Sequence, residues 1–410
     1  MRANSSSGAT MTGIDREEAA DVLVVGAGLA GLYAATVLAR AGHHVVLAER
    51  RSTLTGTVRT TGIFVRRTLE DFDLPEKHLG PAIRRVVLYP PQLSDPVELT
   101  SARDEFRVGD MGPLYVEAAR EAERAGVGLR LATRFLGRDG EAFVLTDARG
   151  AVRIRARFIV GADGARSRVA RELGLSRNRR LLVGAEEVFA DSPVEDSRPG
   201  GAGDTVPTFH CVVDPRVAPG YLAWVVRDGE HVHVGTAGHA HRFPNGMYSA
   251  LQAFRERAPG VEDIVRPAEV EKRAGPIPVG GVLPRISAPD GLLVGDAAGA
   301  VSPLTAGGLD PCLRLSEHAA AILDEALRSG QRGPLEQYDG RALRARFRKR
   351  LLLRRGLDAV RSPALASAGF TALRTPPGRA LARRILFGPG SFPLPSAVAE
   401  PRPSGLGQRV

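Results

Sequence analysis

The sequence predicts an α/β protein in which an open parallel sheet carries a second, mixed sheet and is followed by C-terminal helices. Three observations indicate this fold class: short apolar, β-branched runs, a glycine-rich turn after each of them, and helical periodicity beyond the turns. The composition, 43% hydrophobic and 25% charged, excludes disordered, collagen-like and coiled-coil chains. A length of 410 residues allows two or three joined domains with a large core.

The first glycine-rich turn, GAGLAG, follows the apolar run DVLVV. Gly26 permits the tight turn, Gly28 lets a pyrophosphate approach the backbone, and Gly31 lets helix and strand pack closely. The helix N-terminus that follows stabilises phosphate charge. After a second apolar strand, Glu49 stands where an acid accepts hydrogen bonds from a ribose, and we expect Arg50 beside it to contribute. This unit predicts a Rossmann-like dinucleotide site.

Two later turns have the same character. The strand RFIV runs into GADGARS, which contains Asp163, and the strand GLLV runs into GDAAG. The second turn places Gly295 and Asp296 at the carboxyl end of a strand, where open α/β sheets bind ligands. Further on, Gly307 and Gly308 open a helix whose N-terminus can stabilise negative charge on a ring carbonyl. Three distant segments are therefore expected to converge on one cofactor.

Together these turns, with Pro303 after GDAAG, resemble the fingerprints of FAD-dependent p-hydroxybenzoate hydroxylase-type flavoproteins over most of residues 21–330. The resemblance implies FAD as the cofactor, with Asp296 at its ribityl and pyrophosphate portion and the helix after the paired glycines facing the flavin pyrimidine. Arg107 resembles the family arginine that reaches the FAD. Because no second GxGxxG motif is present, we expect no separate NAD(P)H domain; NAD(P)H or another reductant would supply the electrons.

Within this family the chain resembles the geranylgeranyl reductase-like branch. Residues 58–75 (VRTTGIFVRRTLEDFDLP) and 300–309 (AVSPLTAGGL) resemble two segments of that branch, and 219–226 (PGYLAWVV) resembles its aromatic motif over the flavin. The resemblance implies that Tyr221 and Trp224 wall an apolar slot for a hydrocarbon substrate.

The chain also departs from that branch. Its aromatic motif has one additional residue between Tyr and Trp, and no cysteine stands in the segment RTTG, where the reductases often place one near the flavin. We therefore expect a proton donor in Tyr221, in Thr61 near the ring, or in water.

The favoured function is hydride transfer from reduced flavin to a C=C bond of an apolar, prenyl or polyketide-like substrate. The alternative is a monooxygenase of the same fold, which would hydroxylate or epoxidise an aromatic or an alkene through a flavin C4a-hydroperoxide. A halogenase is disfavoured because no WxWxIP motif is present. A non-enzymatic member that binds prenyl groups or proteins is disfavoured by the three intact motifs.

Charge is concentrated at the C-terminus. The net charge is +10, yet residues 341–410 hold 15 Lys and Arg against 2 Asp and Glu. This excludes a nucleic-acid-binding fold that is basic throughout. The stretch RALRARFRKRLLLRRGL predicts one helix, which is either docked with a solvated face or meets anionic lipid. No apolar run predicts a membrane span or a signal peptide, so we expect a cytoplasmic protein, with peripheral membrane contact and oligomeric state left open.

His231 and His233 share one face of a strand-like run, and we expect a solvated or substrate-facing strand rather than a metal pair. The expected domain boundaries are a disordered leader at 1–20, an FAD-binding domain at 15–75, 103–180 and 276–330, a substrate domain at 76–102 and 181–275, basic C-terminal helices at 331–390, and a disordered tail at 391–410.

Overall fold

The computed structural model describes residues 16–55, 58–191, 206–261 and 269–388, so the predicted tail and the first 15 residues of the predicted leader lie outside it. The strands, in chain order, are β1 (Arg16–Val25), β2 (Val45–Ala48), β3 (Ile63–Val65), β4 (Arg85–Tyr89), β5 (Val97–Thr100), β6 (Phe106–Val108), β7 (Gly128–Arg130), β8 (Arg134–Asp139), β9 (Ala142–Asp147), β10 (Gly150–Gly161), β11 (Leu181–Ala190), β12 (Thr208–Val212), β13 (Ala223–Arg227), β14 (His231–Gly238), β15 (Glu271–Pro278), β16 (Ser287–Ala288) and β17 (Gly291–Leu293). The helices are α1 (Leu29–Arg40), α2 (Arg66–Asp71), α3 (Met111–Arg124), α4 (Arg168–Glu172), α5 (Met247–Arg255), α6 (Leu309–Ser329), α7 (Gly340–Ala345), α8 (Arg348–Ala359), α9 (Pro363–Leu373) and α10 (Pro376–Leu386).

The first sheet confirms the predicted Rossmann-like α/β fold. Its strands follow the order β16–β17–β10–β1–β2–β7, and β9 and β8 extend it from β10. β1 pairs in parallel with β10 and β2, while β10 pairs in parallel with β17. The apolar runs are buried along their whole length, as expected for strands covered on both faces. This arrangement brings the ends of β1, β10 and β17, each followed by a glycine-rich turn, to one edge.

The predicted disordered leader is wrong for residues 16–20, which form the first half of β1. This half pairs with β10 from Arg16, opposite Val152, onward. Arg16 also forms an ion pair with Asp147 at 2.8 Å, and Glu18 with Arg130. The charged sequence REEAA hid the strand because its side chains form ion pairs at the edge of the core.

The second sheet has the order β15–β11–β14–β13–β12–β4–β5 and is antiparallel except between β12 and β4. One face packs on α5 through an apolar cluster that includes Val225, Val234 and Phe254. The other face meets the loops of the first sheet. The boundary expected between residues 275 and 276 falls inside β15, which pairs with β11 as far as Pro278.

The basic C-terminal segment is helical, but the single helix expected over 341–357 is wrong. It divides into α7 and α8 at Arg346 and Phe347. Phe347 is 1% exposed and lies in the main core, so the chain turns there to bury it. None of the helices in the described ranges is both long and apolar enough to cross a lipid bilayer.

Candidate functional site

The turn between β1 and α1 has the geometry that dinucleotide binding requires. Gly26 has a φ of +106°, and a Cβ there would lie 2.4 Å from the carbonyl oxygen of Ala162. A Cβ on Gly31 would lie 1.9 Å from the carbonyl oxygen of Gly26. A Cβ on Gly28 would meet no atom within 4 Å, so this glycine keeps a space open in front of the α1 N-terminus. A phosphate fits such a space.

Glu49 fixes this turn. Its Oε2 accepts a hydrogen bond from the amide of Ala27 at 2.9 Å, and its Oε1 accepts one from the amide of Arg51 at 3.0 Å. Arg50 is exposed, and the contact we predicted between it and the cofactor stays a prediction. Arg51, which the sequence analysis did not select, lies within electrostatic reach of Glu49 and Arg59. Burial lowers the pKa of its guanidinium, and the carboxylate beside it opposes that shift.

The GADG turn after β10 is braced by its own carboxylate. Asp163 Oδ2 accepts hydrogen bonds from the amides of Arg168 and Val169 at 2.6 and 3.1 Å. The Ser167 hydroxyl caps α4 by accepting from the amide of Ala170 at 2.9 Å. The other oxygen, Asp163 Oδ1, is buried and has no hydrogen-bond partner among the described residues. Burial raises the pKa of this carboxyl.

Asp296 lies in a recess beyond β17. Its side chain keeps some accessible surface although protein surrounds it, and burial raises its pKa to about 6. Tyr115 of α3 lies within electrostatic reach of Asp296, of Cys312 on α6 and of Arg273 on β15, so these residues lie near one another. Burial is the one cause of this raised pKa. Hydrogen bonds donated by the hydroxyl groups of a ligand would stabilise the ionised carboxylate, so such a ligand suits this position.

The loop after GDAAG leads into α6. Gly295 has a φ of +54°, and a Cβ there would lie 2.8 Å from the Cβ of Ala30 on α1. Pro303 is buried. The carbonyl oxygen of Gly307 accepts a hydrogen bond from the amide of Ser302 at 3.0 Å, and this bond closes the loop. Gly308 precedes the first residue of α6 and supplies no capping side chain. The first amides of this long helix therefore remain available to a ligand oxygen.

Arg107 corrects the sequence prediction. It lies in β6, and its guanidinium donates to the carbonyl oxygens of Gly80 at 2.7 Å and Leu79 at 2.9 Å. A third nitrogen binds Glu76 at 2.5 Å. These bonds hold the loop after α2, and they engage all three guanidinium nitrogens of this side chain.

The predicted catalytic residues divide into two places. The Thr61 hydroxyl donates to Glu186 Oε1 at 2.6 Å, and Trp224 Nε1 donates to the same oxygen at 3.2 Å. Tyr221 donates instead to the carbonyl oxygen of Thr305, at 2.5 Å, in the loop before α6. Burial raises the pKa of the Tyr221 phenol, so it remains protonated.

Glu186 is the residue that sequence reasoning missed. It lies on β11, is 4% exposed, and stands 3.6 Å from His233 Nδ1 and 3.9 Å from Arg273. Its pKa is lowered, because His233 and Thr61 outweigh its burial. The only signal in the sequence was a pair of acids, Glu186 and Glu187, inside an otherwise apolar strand.

His233 is 2% exposed, so of the two expected alternatives the solvated strand face is wrong at this position, and the substrate-facing one stays a prediction. Within the described ranges, no three His, Cys, Asp or Glu side chains are placed to share a metal ion.

The residues present fit FAD. The open space at Gly28, the unpartnered oxygen of Asp163 and the recessed carboxyl of Asp296 lie at adjoining strand ends. They would hold the pyrophosphate and ribityl portions, and the α6 N-terminus would face the ring.

Comparisons with known proteins agree with this geometry. Residues 24–75 match the family model of the NAD(P)-binding Rossmann-like domain, and residues 115–207 match the FAD binding domain. A digeranylgeranylglycerophospholipid reductase of Methanothrix thermoacetophila is 30% identical over 336 residues, which cover 76% of this chain and 80% of that protein. A reductase of the same name from Methanopyrus kandleri is 31% identical over 318 residues, with 75% and 81% covered.

Solved structures show the same fold. A geranylgeranyl bacteriochlorophyll reductase-like protein from Thermoplasma acidophilum superposes with a TM-score of 0.77 at 22% identity, covering 90% of this chain and 97% of that one. The myxobacterial chondrochloren halogenase superposes with a TM-score of 0.65 at 17% identity, covering 92% and 94%.

Proposed function

We propose that this chain, which belongs to the digeranylgeranylglycerophospholipid reductase family of FAD-dependent oxidoreductases, reduces C=C bonds in the isoprenoid chains of a prenyl lipid. The observation that carries the proposal is the sequence similarity to a named reductase, which covers four fifths of that protein. An apolar wall beside the cofactor site supports it. Reduced FAD would supply the hydride when bound.

The apolar wall lies between the second sheet, the loop before α6 and helix α8. Four of its residues are buried, and partly buried residues pack against them. They are Leu182, Tyr221, Ala237 and Val279, with Leu222, Trp224, Ile277, Ala306 and Leu357. A hydrocarbon chain offers no hydrogen-bonding groups, so it is recognised by such surface alone. The two predicted aromatics both belong to this wall.

The C-terminal helices hold the wall in place. Arg354 of α8 is 2% exposed, donates to the carbonyl oxygen of Gly220 and to Asp358, and lies over the Tyr221 ring at 5.8 Å. Arg350 donates to the Ser302 hydroxyl at 3.0 Å. The residues around the reacting alkene would therefore be held rigidly and kept away from water.

An anaerobic reaction tests the function. The holoprotein is reduced with dithionite under argon and mixed with digeranylgeranylglycerophospholipid in detergent. We expect the flavin spectrum to return to the oxidised form and the lipid to gain two hydrogen atoms per reduced bond. A flavin that stays reduced until O₂ is admitted, with a product one oxygen atom heavier, would favour the monooxygenase. A protein that cannot take up FAD would contradict both enzymatic functions.

We also propose that α8–α10 contact an anionic membrane surface. Four of the six large hydrophobic side chains that the described residues leave exposed lie on these helices: Leu352, Leu353, Leu365 and Leu381. Between residues 341 and 388 the chain holds 13 Lys and Arg and one acid, Asp358. Apolar side chains among cations suit a surface of acidic lipid headgroups.

Vesicle sedimentation tests this contact. We expect binding to phosphatidylglycerol vesicles and little binding to phosphatidylcholine. Leu352, 66% exposed on α8, should be needed: Leu352→Glu should weaken binding several-fold. Tyr248→Glu, at a 51% exposed position on α5, is the matched control and should bind as the wild type does. Equal binding of both vesicle types, or an equal loss in both variants, would contradict the proposal.

A further inference from the structure

A row of polar side chains crosses the otherwise apolar inner face of the second sheet. It starts at His231, whose side chain is 44% exposed, and ends at Thr61 in the loop before β3. Asp228, His233 and Glu186 lie between these ends. Both histidines and the threonine are candidate residues from the sequence, and the two carboxylates connect them.

Asp228 forms the outer half of this row. It lies in the turn between β13 and β14, where its Oδ1 accepts the amides of Glu230 at 2.9 Å and His231 at 2.6 Å. Its Oδ2 faces the two imidazoles and lies 3.0 Å from His233 Nε2 and 3.6 Å from His231 Nδ1. One fixed carboxylate therefore joins an exposed histidine to a buried one.

Glu186 forms the inner half. His233 Nδ1 stands 3.6 Å from Glu186 Oε1, and that oxygen accepts the Thr61 hydroxyl at 2.6 Å. His233 Nδ1 and Glu186 Oε2 are buried and have no hydrogen-bond partner among the described residues. Both atoms have charged neighbours, at 3.6 Å between His233 Nδ1 and Glu186 Oε1 and at 3.9 Å between Glu186 Oε2 and Arg273, but within the described ranges no hydrogen bond holds either atom to one partner. Their state fits groups that exchange partners.

The charges around His233 keep it protonated. Asp228 and Glu186 face its two nitrogens and raise its pKa to about 9, although burial acts in the opposite sense. Behind Glu186, Arg273 stands at 3.9 Å and is itself paired with Glu271 at 2.8 Å.

Two further groups belong to these surroundings. Asp110 of the α3 N-cap lies within reach of Arg273, and His231 lies on the solvent side of Asp228. At neutral pH the buried imidazole is therefore a cation that holds a transferable proton.

We propose that His233 is a proton store which, through Glu186, supplies the Thr61 hydroxyl with the proton that the alkene takes up; this rests on the reductase function proposed above. Reduced FAD, when bound, would supply the hydride to one alkene carbon, and the π electrons would then bind a proton at the other carbon. Thr61 gives up its hydroxyl proton as it receives one from Glu186, and Glu186 receives one from His233. After the ring turns, His233 regains a proton from water through Asp228 and the exposed His231.

Paired variants test the store in the flavin reoxidation experiment under argon. Thr61→Val and Glu186→Gln should each slow reoxidation by about 10²-fold, the lower end for general acid catalysis. Thr61→Ser keeps the hydroxyl and should restore most of the rate. Glu187 lies beside Glu186 but on the other face of β11, where it binds Arg255 at 2.7 Å. Glu187→Gln is the matched control and should react as the wild type does.

The pH dependence separates proton supply from a packing role. The wild-type rate should fall as the pH rises through about 9, where His233 loses its proton. In Glu186→Gln this fall should move to lower pH, because His233 keeps one carboxylate instead of two. In Glu187→Gln it should not move. A Thr61→Val protein at the wild-type rate, or the same pH profile in both glutamine variants, would overturn the proposal.

NMR titration of the His233 ring in the oxidised holoprotein gives an answer that needs no lipid. The pKa of His233 should lie near 9 in the wild type and clearly lower in Glu186→Gln. If the wild-type flavin stays reduced with lipid, the reductase function fails. In that case, a His233 pKa that is lower in Glu186→Gln than in the wild type would still support His233 as a proton store held by Glu186. An equal pKa in the two proteins would overturn it.

Discussion

Two carboxyl groups in adjoining parts of the molecule have pKa values shifted in opposite directions. On the cofactor side, burial raises the pKa of Asp296 to about 6, with no opposing cause. On the substrate side, Glu186 is as deeply placed, yet His233, Thr61 and Arg273 lower its pKa. Tyr115 lies within electrostatic reach of both Asp296 and Arg273, so the two sites adjoin.

The difference shows how each side meets its ligand. The cofactor side keeps polar groups and open backbone that a dinucleotide would satisfy, and its shape depends on glycines. The substrate side compensates its charges internally and adjoins a buried apolar cluster. Groups with pKa values pushed apart in this way commonly take different roles in one site.

The cofactor side should fail most severely at Gly31. Gly31→Ala puts a Cβ 1.9 Å from a backbone oxygen, so β1 and α1 must separate. We expect a loss of about 3 kcal/mol or more in the free energy of unfolding, at the upper end for overpacking, and loss of bound flavin. Urea denaturation and the flavin absorbance of the purified protein measure both.

Gly28→Ala is the matched variant, because its Cβ meets no atom within 4 Å. Its stability as apoprotein should match the wild type, and only FAD affinity should fall, since the methyl group occupies the space kept for the pyrophosphate. Equal stability losses in the two variants would contradict the distinction between packing and ligand space.

The substrate side should show a stability that depends on pH through His233. The folded protein holds this proton more tightly than the unfolded chain does, with a pKa of about 9 against 6.5. The stabilisation is therefore complete below about pH 6.5 and is lost as the pH rises through about 9. We expect the difference in unfolding free energy between the wild type and His233→Gln to fall by about 3 kcal/mol over that range. Urea denaturation at several pH values measures it, and a constant difference would contradict it.

FAD affinity should depend on pH through Asp296. Hydroxyl donors from a bound ligand favour the ionised carboxylate, so binding should tighten as the pH rises through about 6. Each unit by which the ligand lowers this pKa gives about a tenfold gain in affinity. Fluorescence titration of the apoprotein with FAD measures the change, and Asp296→Asn should flatten it. If the FAD affinity of Asp296→Asn changes with pH as steeply as that of the wild type, another group causes the dependence.

The glycine-rich turns of the cofactor side could be predicted from the sequence, and the contacts around Glu186 on the substrate side could not. At Gly26, Gly28 and Gly31 one contiguous run carries the strand, the turn and the helix, so the motif defines the geometry. Glu186 and Glu187 are adjacent acids in the sequence, and nothing local distinguishes their roles. Only the position of β11 in the sheet decides that one faces Thr61 and the other faces Arg255. Thr61 and Glu186 are 125 residues apart, and no local pattern reports such a contact.

The same reason explains the other corrections. The sequence of the polar half of β1 predicts a disordered leader, because the strand that pairs with it, β10, lies more than a hundred residues away. Arg107 reads as a cofactor ligand because it precedes α3, while its bonds to Leu79 and Gly80 depend on the fold of another loop. Local backbone motifs are readable from one sequence, and contacts between distant side chains require the structure.

The smallest expected effect concerns the link between the two sides. Tyr221→Phe removes the hydrogen bond to the carbonyl oxygen of Thr305 and keeps the ring in the apolar wall. The unfolding free energy should fall by about 1 kcal/mol, the usual net value of one hydrogen bond. If the link only positions the loop before α6, KM for the lipid should rise several-fold while the rate of flavin reoxidation at saturation stays unchanged. A loss confined to that rate would instead make the Tyr221 hydroxyl the proton donor, in place of Thr61, because the loop would then bind lipid as before and only the chemical step would be slower.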